Sequence, residues 1–467
     1  MSSESNNIME SSASKSTMTQ FILFWIGQLF SIFGSSVVFF SVLWFFTNIT
    51  GGMENQGTIF TSVSAIVTIP GVIIMFLSGV LIDRWNRKKI ILWADSIQAF
   101  MSLLLVVLFL FFGLENSWPW NLIIVTGIFM IRQTCQSFHR PAIMAIIPLM
   151  IPKDKISRFN GMNQFIGSAL MIAGPFFANF LIGLNLSFSQ ILWVDVITFA
   201  IALIPTIFIK IPSPKKEVKE GQEGEQKPEE KKPSYFQEFK EGFRTIMDIK
   251  GMAALFIVII VLNFISAPFN SLQYIYFQQI LGPIYTTELA INGVFFQVAI
   301  FIGAGLMMLK KKWKRKSLLI IGSQFLSIIA YFLYAFVGFG NPIWFIYISS
   351  ALVGIYASIY NTTYQTIFHE TIPPDKLGRV FSVDFAISFV LGPIATFVSG
   401  PLADWLGLQN LYMGIAIFAA LFLTLMTILS DYRHVGKDTL EITVPEIPET
   451  KEGEVKINIE LDTVESV

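Results

Sequence analysis

Long apolar stretches and short polar turns alternate along almost the whole chain, from Phe21 to about residue 430. A hydrocarbon core of about 30 Å takes roughly 20 apolar residues in a helix. Twelve stretches reach that length: 21–45, 57–82, 90–113, 121–146, 159–184 and 190–210, then 251–278, 288–309, 317–338, 343–367, 380–402 and 410–430. Lipid offers backbone N–H and C=O groups no partner, so a spanning segment is a helix or a strand of a closed barrel. Runs this long and this uniformly apolar exclude barrel strands. The pattern predicts an all-α polytopic membrane protein with 12 transmembrane helices.

One interruption differs in kind. From Ile211 to about Lys232 the chain is rich in Lys, Glu, Gln and Pro, cannot bury apolar surface, and reads as a solvated linker. Beyond it Phe236, Phe239, Phe243 and Met247 recur at helical spacing among charges, which predicts an amphipathic helix over 235–248 at the inner membrane surface. The expected organisation is an N-terminal tail (1–20), a six-helix bundle (21–210), a linker with its amphipathic helix (211–250), a second bundle (251–430) and an acidic C-terminal tail (431–467).

The bundles echo each other. Ile151-Pro152-Lys153-Asp154-Lys155-Ile156-Ser157-Arg158 lies between spans four and five, and Ile372-Pro373-Pro374-Asp375-Lys376-Leu377-Gly378-Arg379 lies between spans ten and eleven. A Gly-Pro pair follows each, Gly174-Pro175 and Gly392-Pro393. The charged turn Asp83 to Lys89 has a degraded counterpart at 305–316, with Leu309 in place of the acid. Matches at three corresponding places describe two parallel repeats related by an axis along the membrane normal, with a site expected between them.

Only 14% of the residues are charged and the formal net charge is zero, which gives no footing for a nucleic-acid partner. The charge is segregated. One set of turns holds Arg84, Arg87, Lys88 and Lys89, then Arg140, Lys153, Lys155 and Arg158, then Lys310 to Lys316, then Lys376 and Arg379; the alternate turns hold no Lys or Arg. Positive charge marks the cytoplasmic side, so both termini are expected there. The first twenty residues lack a basic n-region, so the first span is expected to stay as an anchor rather than be cleaved. The single Cys135 rules out an internal disulfide. His139, His369 and His434 are far apart in sequence and suggest no metal cluster, and no Walker loop appears. No cofactor, metal or enzymatic role is expected.

Gly79-Val80-Leu81-Ile82-Asp83-Arg84-Trp85-Asn86-Arg87-Lys88 resembles the signature loop between the second and third helices of the major facilitator superfamily, with Asn86 where a second glycine is usual. More narrowly, Phe24-Trp25-Ile26-Gly27-Gln28, Phe138-His139-Arg140-Pro141-Ala142 and Gly378-Arg379-Val380-Phe381-Ser382 resemble the macrolide-efflux branch of bacterial drug exporters. The resemblance implies the major facilitator fold, a bacterial plasma membrane and a cytoplasmic gate. In that gate Asp83, on the turn after Gly79, would face the helix start near Val380 to Ser382, where free N–H groups and the helix dipole suit a carboxylate. Arg84 and Arg87 would complete the network; the plain alternative is that they only fix topology.

Ionisable residues inside a membrane are costly and functional by default. Asp95, Arg132 and Asp195 stand out. By depth Asp95 and Arg132 are expected to meet, as a proton switch or as a permanent structural ion pair, whereas Asp195 lies toward the outer side and reads as a poorer partner. Gly174-Pro175 resembles a glycine-proline motif associated with antiport, or is an ordinary packing kink, as Gly392-Pro393 would be. The resemblance places the cargo site among spans one, four, seven and ten. Gln28, Asn263, Asn270, Gln273, Tyr274, Tyr360 and Asn361 are the candidate lining residues, or else hydrogen-bond partners between helices.

Many amides and tyrosines with few charges suit a small-molecule amphipathic substrate. The expectation is a secondary active transporter, proton-coupled, exporting macrolide-like or other amphipathic drugs by alternating access, as a monomer in the lipid bilayer. A nutrient or lipid transporter of the same fold is the nearer alternative, and a non-transporting membrane sensor the more distant one.

Overall fold

The computed structural model describes residues 2–209, 235–310, 313 and 315–435, with the backbone alone described at 2–17, 75–84, 153–154, 157, 235–236, 238, 374–375 and 389. Among these residues every regular element is helical. The first half holds α1 (Ser2–Ile49), α2 (Gln56–Arg84), α3 (Arg87–Phe112), α4 (Trp120–Met150), α5 (Lys153–Gly183) and α6 (Phe188–Phe208). After α7 (Tyr235–Asp248) come α8 (Met252–Ser271), α9 (Gln273–Leu281), α10 (Tyr285–Met308), α11 (Lys316–Val337), α12 (Trp344–Thr371), α13 (Pro374–Leu406) and α14 (Leu408–Leu429).

Local chemistry sets several boundaries. Asn86 caps α3, its side chain accepting the Lys89 N–H at 3.2 Å, and Gly113 ends the helix in left-handed conformation, φ 61°. The N-terminal segment is helical from Ser2 and continuous with the first span; it contains no Gly or Pro to stop that helix. The seventh span, expected as one helix, is broken between α8 and α9. α8 ends at Ser271 and the chain restarts at Gln273 after Leu272, whose φ −100° and ψ 2° leave the helical values, with Pro268 one turn before it inside α8.

By length and composition, 10 helical stretches among the described residues are apolar enough to cross a membrane. α4 and α12 are not among them although they run 31 and 28 residues. They occupy the fourth and tenth places, corresponding positions in the two repeats, and their polar residues lower the mean.

The repeat is visible in the packing. α1 packs on α5 and α6, α3 on α4 and α6, and α2 on α4; α8 packs on α13 and α14, α11 on α12 and α14, and α10 on α12. These pairings correspond one to one. The halves meet along α2–α13 and α5–α10, two contacts that the same repeat interchanges.

The turns bearing Lys and Arg define the inner end. Toward the outer end one apolar cluster is shared, with Phe40, Phe60 and Phe188 from the first half and Tyr274, Tyr334 and Tyr412 from the second. Toward the inner end each half keeps its own cluster, around Phe24, Ile91 and Ile146 in one and Leu255, Ile320 and Phe368 in the other. Hydrogen bonds follow the outer seam: Gln56 to Gln278, Gln278 and Tyr285 to Asn48, and Asn179 to Thr287. The halves are joined at the end opposite the Lys- and Arg-bearing turns.

Candidate functional site

A polar seam runs through the first half where α1, α3, α4 and α6 converge. Asp95 on α3 and Asp195 on α6 are fully buried, and Arg132 and His139 on α4 nearly so. Arg132 is caged. It pairs with Asp195, bonds the Ser102 hydroxyl, donates to the Gln98 carbonyl at 3.2 Å, and lies 5.3 and 5.5 Å from the ring centres of Phe129 and Phe199. Ser102 also donates to Asp195. The pair and its hydrogen bonds all fall on Asp195 Oδ2, while the buried Oδ1 has no hydrogen-bond partner, so the charge of Asp195 is compensated by Arg132 with one oxygen left unsatisfied.

Asp95 is held otherwise. Gln28 on α1 donates to its Oδ2 at 3.1 Å and reaches the Thr206 hydroxyl at 3.3 Å. On the other side His139 Nε2 stands 2.9 Å from Asp95 Oδ1, and neither atom makes a hydrogen bond elsewhere. Two lone pairs at that distance repel, so a proton belongs between them, on the imidazole or on the carboxyl.

The expected Asp95–Arg132 partnership is therefore replaced by Asp95–His139 and Arg132–Asp195. α4 spans about 46 Å at 1.5 Å per residue, well beyond a 30 Å core. Depths counted from opposite ends of so long a helix come out too similar. Counted from the inner end alone, Asp95 lies about 12 Å in, His139 about 16 Å and Arg132 about 27 Å. Arg132 therefore lies well beyond Asp95, and its guanidinium pairs with Asp195 of α6 instead. His139, to which the sequence reading gave no coupling role, sits two turns from Arg132 on α4; that spacing was the available signal.

Between the halves lies a cavity of about 270 Å³. Asn270, Gln273 and Tyr274, at and just beyond the break in the seventh span, line it, as does Pro175 of α5. Asn292, Ser349 and Ser350 also line it and went unnoticed in the sequence; Ser350 donates to the Asn292 side chain at 2.6 Å. The lining residues carry no formal charge. The other candidates sit elsewhere. Gln28 is committed to Asp95, Asn361 donates to the Ala357 carbonyl at 2.8 Å, and Tyr360 stacks on Tyr364 in a row with Tyr356. Asn263 is exposed, its carbonyl accepting from Ser266.

The side chain of Asp83, that of Arg84 and the surroundings of Gly79 lie outside the described residues. Arg87 donates to the Ala145 carbonyl at 3.0 Å and so ties α3 to α4 within the first half. The two Gly-Pro pairs differ: a Cβ at Gly174 would overlap the Ser36 side chain of α1, whereas one at Gly392 would meet open space. Close approach is required only at Gly174. Both Pro175 and Pro393 sit inside continuous helices.

The sequence model of the Major Facilitator Superfamily matches residues 24–393. Macrolide efflux protein A of Streptococcus pyogenes is 26% identical over 394 residues, covering 84% of this chain and 92% of that protein. A protein of the same name from Enterococcus faecalis is 28% identical over 316 residues, 68% of this chain and 92% of its own length. Among solved structures, a variant of the nucleoside transporter NupG superposes with a TM-score of 0.66 at 14% identity, over 87% of this chain and 99% of that one.

Proposed function

The chain belongs to the Major Facilitator Superfamily, and on that premise we propose that it exports amphipathic compounds, macrolides among them, by proton-coupled alternating access. It is a multi-pass membrane transporter of small molecules. In this proposal twelve spans cross a bacterial plasma membrane with both termini in the cytoplasm, and the bundles 21–210 and 251–430 rock as a monomer about the cavity between them.

The observation that carries the reading is that cavity. It lies between the halves, inward of the outer seam, at a broken span, and is lined by amides, phenols and rings without charge. Broken helices at the repeat interface are where transporters of this architecture hold cargo. A neutral mixed lining suits a ligand with a large apolar body and scattered hydroxyls. The macrolide assignment draws on the relatives' names. At about 270 Å³ the cavity falls just short of the roughly 300–1,000 Å³ that enclose drug-sized ligands. A macrolide would need it wider, or would seat only one part of itself there. The same volume favours a second reading, in which the cargo is a smaller polar solute.

Coupling is assigned to Asp95 and His139. A proton held between them keeps Asp95 compensated; its loss leaves a buried carboxylate with Gln28 as its one hydrogen-bond donor, a costly state that cargo binding or rocking would have to relieve. Arg132, caged by its own acid, is assigned the role of holding α3, α4 and α6 together.

The test is accumulation of a labelled macrolide in drug-sensitive bacteria expressing the parent, Asp95→Asn, His139→Gln or no transporter, with and without a protonophore. Lower accumulation with the parent alone, erased by the protonophore, is expected. Equal accumulation in parent and empty cells removes the macrolide and moves the question to smaller solutes. Export that persists in both variants at matched expression removes the proton assignment.

A further inference from the structure

The outer contact between α2 and α13 has features of a built latch. Asp404, in the last turn of α13, places its two carboxylate oxygens against the first turn of α2. Oδ1 accepts the Gly57 N–H at 2.8 Å and Oδ2 the Thr58 N–H at 2.7 Å. These are among the unpartnered N–H groups at a helix start, and the helix dipole adds to the attraction. One carboxylate bonding two consecutive amides is geometrically exacting and charge-assisted.

The helix surfaces are shaped for it. A Cβ at Gly57 would come within 2.6 Å of Asp404 Oδ1, and one at Gly400, a turn earlier on α13, would overlap Thr61 and the Gly57 carbonyl. Two facing glycines let the backbones approach closely enough for the carboxylate to reach. A polar cleft of about 200 Å³, lined from both halves by Gln56, Gln279 and Asp404, adjoins the contact and leaves Asp404 exposed. The motif is also legible in sequence: Gly400-Pro401-Leu402-Ala403-Asp404 repeats the glycine-to-acid spacing of Gly79-Val80-Leu81-Ile82-Asp83 at the opposite end of the other helix of this pair.

We infer that Asp404 is a gating residue of the transport cycle, holding the outer side closed through the α2 N-terminus and releasing it when the halves rock outward. It acts on which face is open rather than on cargo or protons. The inference rests on the alternating-access reading but on neither the macrolide nor the proton assignment.

The experiment reads the outer gate directly. Cys135→Ala removes the single native thiol, and Met171→Cys puts a reporter in the cavity wall. A charged, membrane-impermeant maleimide is added outside intact cells and the labelling rate measured. Asp404→Asn loses one of the two acceptors, and Gly57→Ala pushes the carboxylate away from the other helix. Both are expected to speed labelling on the order of tenfold, about the loss of one charge-assisted bond, while Asp404→Glu stays near the parent rate. Size-exclusion profiles in detergent establish that each variant is folded. Parent-like rates in both Asp404→Asn and Gly57→Ala overturn the latch, even if macrolide export is confirmed. Faster labelling in both supports it even if macrolides are not exported.

Discussion

Arg132 and His139 lie two turns apart on α4, and each meets a different acid. The consequences of removing them should differ in kind. Arg132→Met strands Asp195 in a dry interior, a loss of about 3–5 kcal/mol when one member of a buried pair is deleted. The expected result is a clear fall in the thermal midpoint of detergent-purified protein, with much of it regained in Arg132→Met combined with Asp195→Asn. Asp95→Asn is expected to leave the midpoint close to the parent, because the Gln28 amide can donate to the Asn oxygen as it does to the carboxylate. A fall as large as that of Arg132→Met would mean that Asp95, too, is a structural ion. The three charged residues were legible in the sequence as ions in apolar runs. Their pairing was not, since it depends on how far α4 overshoots the bilayer and on where a long side chain turns.

At the scale of elements, apolar run length predicted nearly every helix, and the spacing of Phe236, Phe239, Phe243 and Met247 matches the extent of α7, Tyr235–Asp248. That helix is tied to the second half, where its Glu241 pairs with Arg379 in the first turns of α13. The break in the seventh span was missed because Asn270, Gln273 and Tyr274, polar residues around it, were read only as a stripe along one continuous helix. The outer contacts of α5 and α10 were also beyond sequence reasoning, because Asn179 and Thr287 look like ordinary polar residues until the repeat brings them together. They give a direct check on movement along this pair. Asn179→Cys with Thr287→Cys, in a chain lacking Cys135, is expected to crosslink under mild oxidation, arresting efflux until a reductant is added. Crosslinked protein that exports at the parent rate would show that α5 and α10 do not part at the outer end during transport.

For the whole molecule, the twofold plan was readable from two echoed loops and a repeated Gly-Pro pair, whereas the side on which it is closed was not. Closure depends on which aromatic residues from the two halves meet, and Phe40, Phe60 and Tyr274 do so only once the bundles are docked. Among the described residues the halves share one core at one end and keep separate cores at the other, as expected of one station in the rocking cycle proposed above. The buried seam has a consequence for the force that drives that cycle. Asp95, Asp195, Arg132 and His139 sum to zero charge with one proton between Asp95 and His139, and to minus one without it. A charge carried through the full membrane potential changes energy by about 2.3 kcal/mol per 100 mV. On the proposed rocking and coupling, the seam would cross only part of that field as the first half tilts, so the voltage would act on the deprotonated carrier and spare the protonated one. The electrical gradient, and not the pH difference alone, would then help set the direction in which the empty transporter resets.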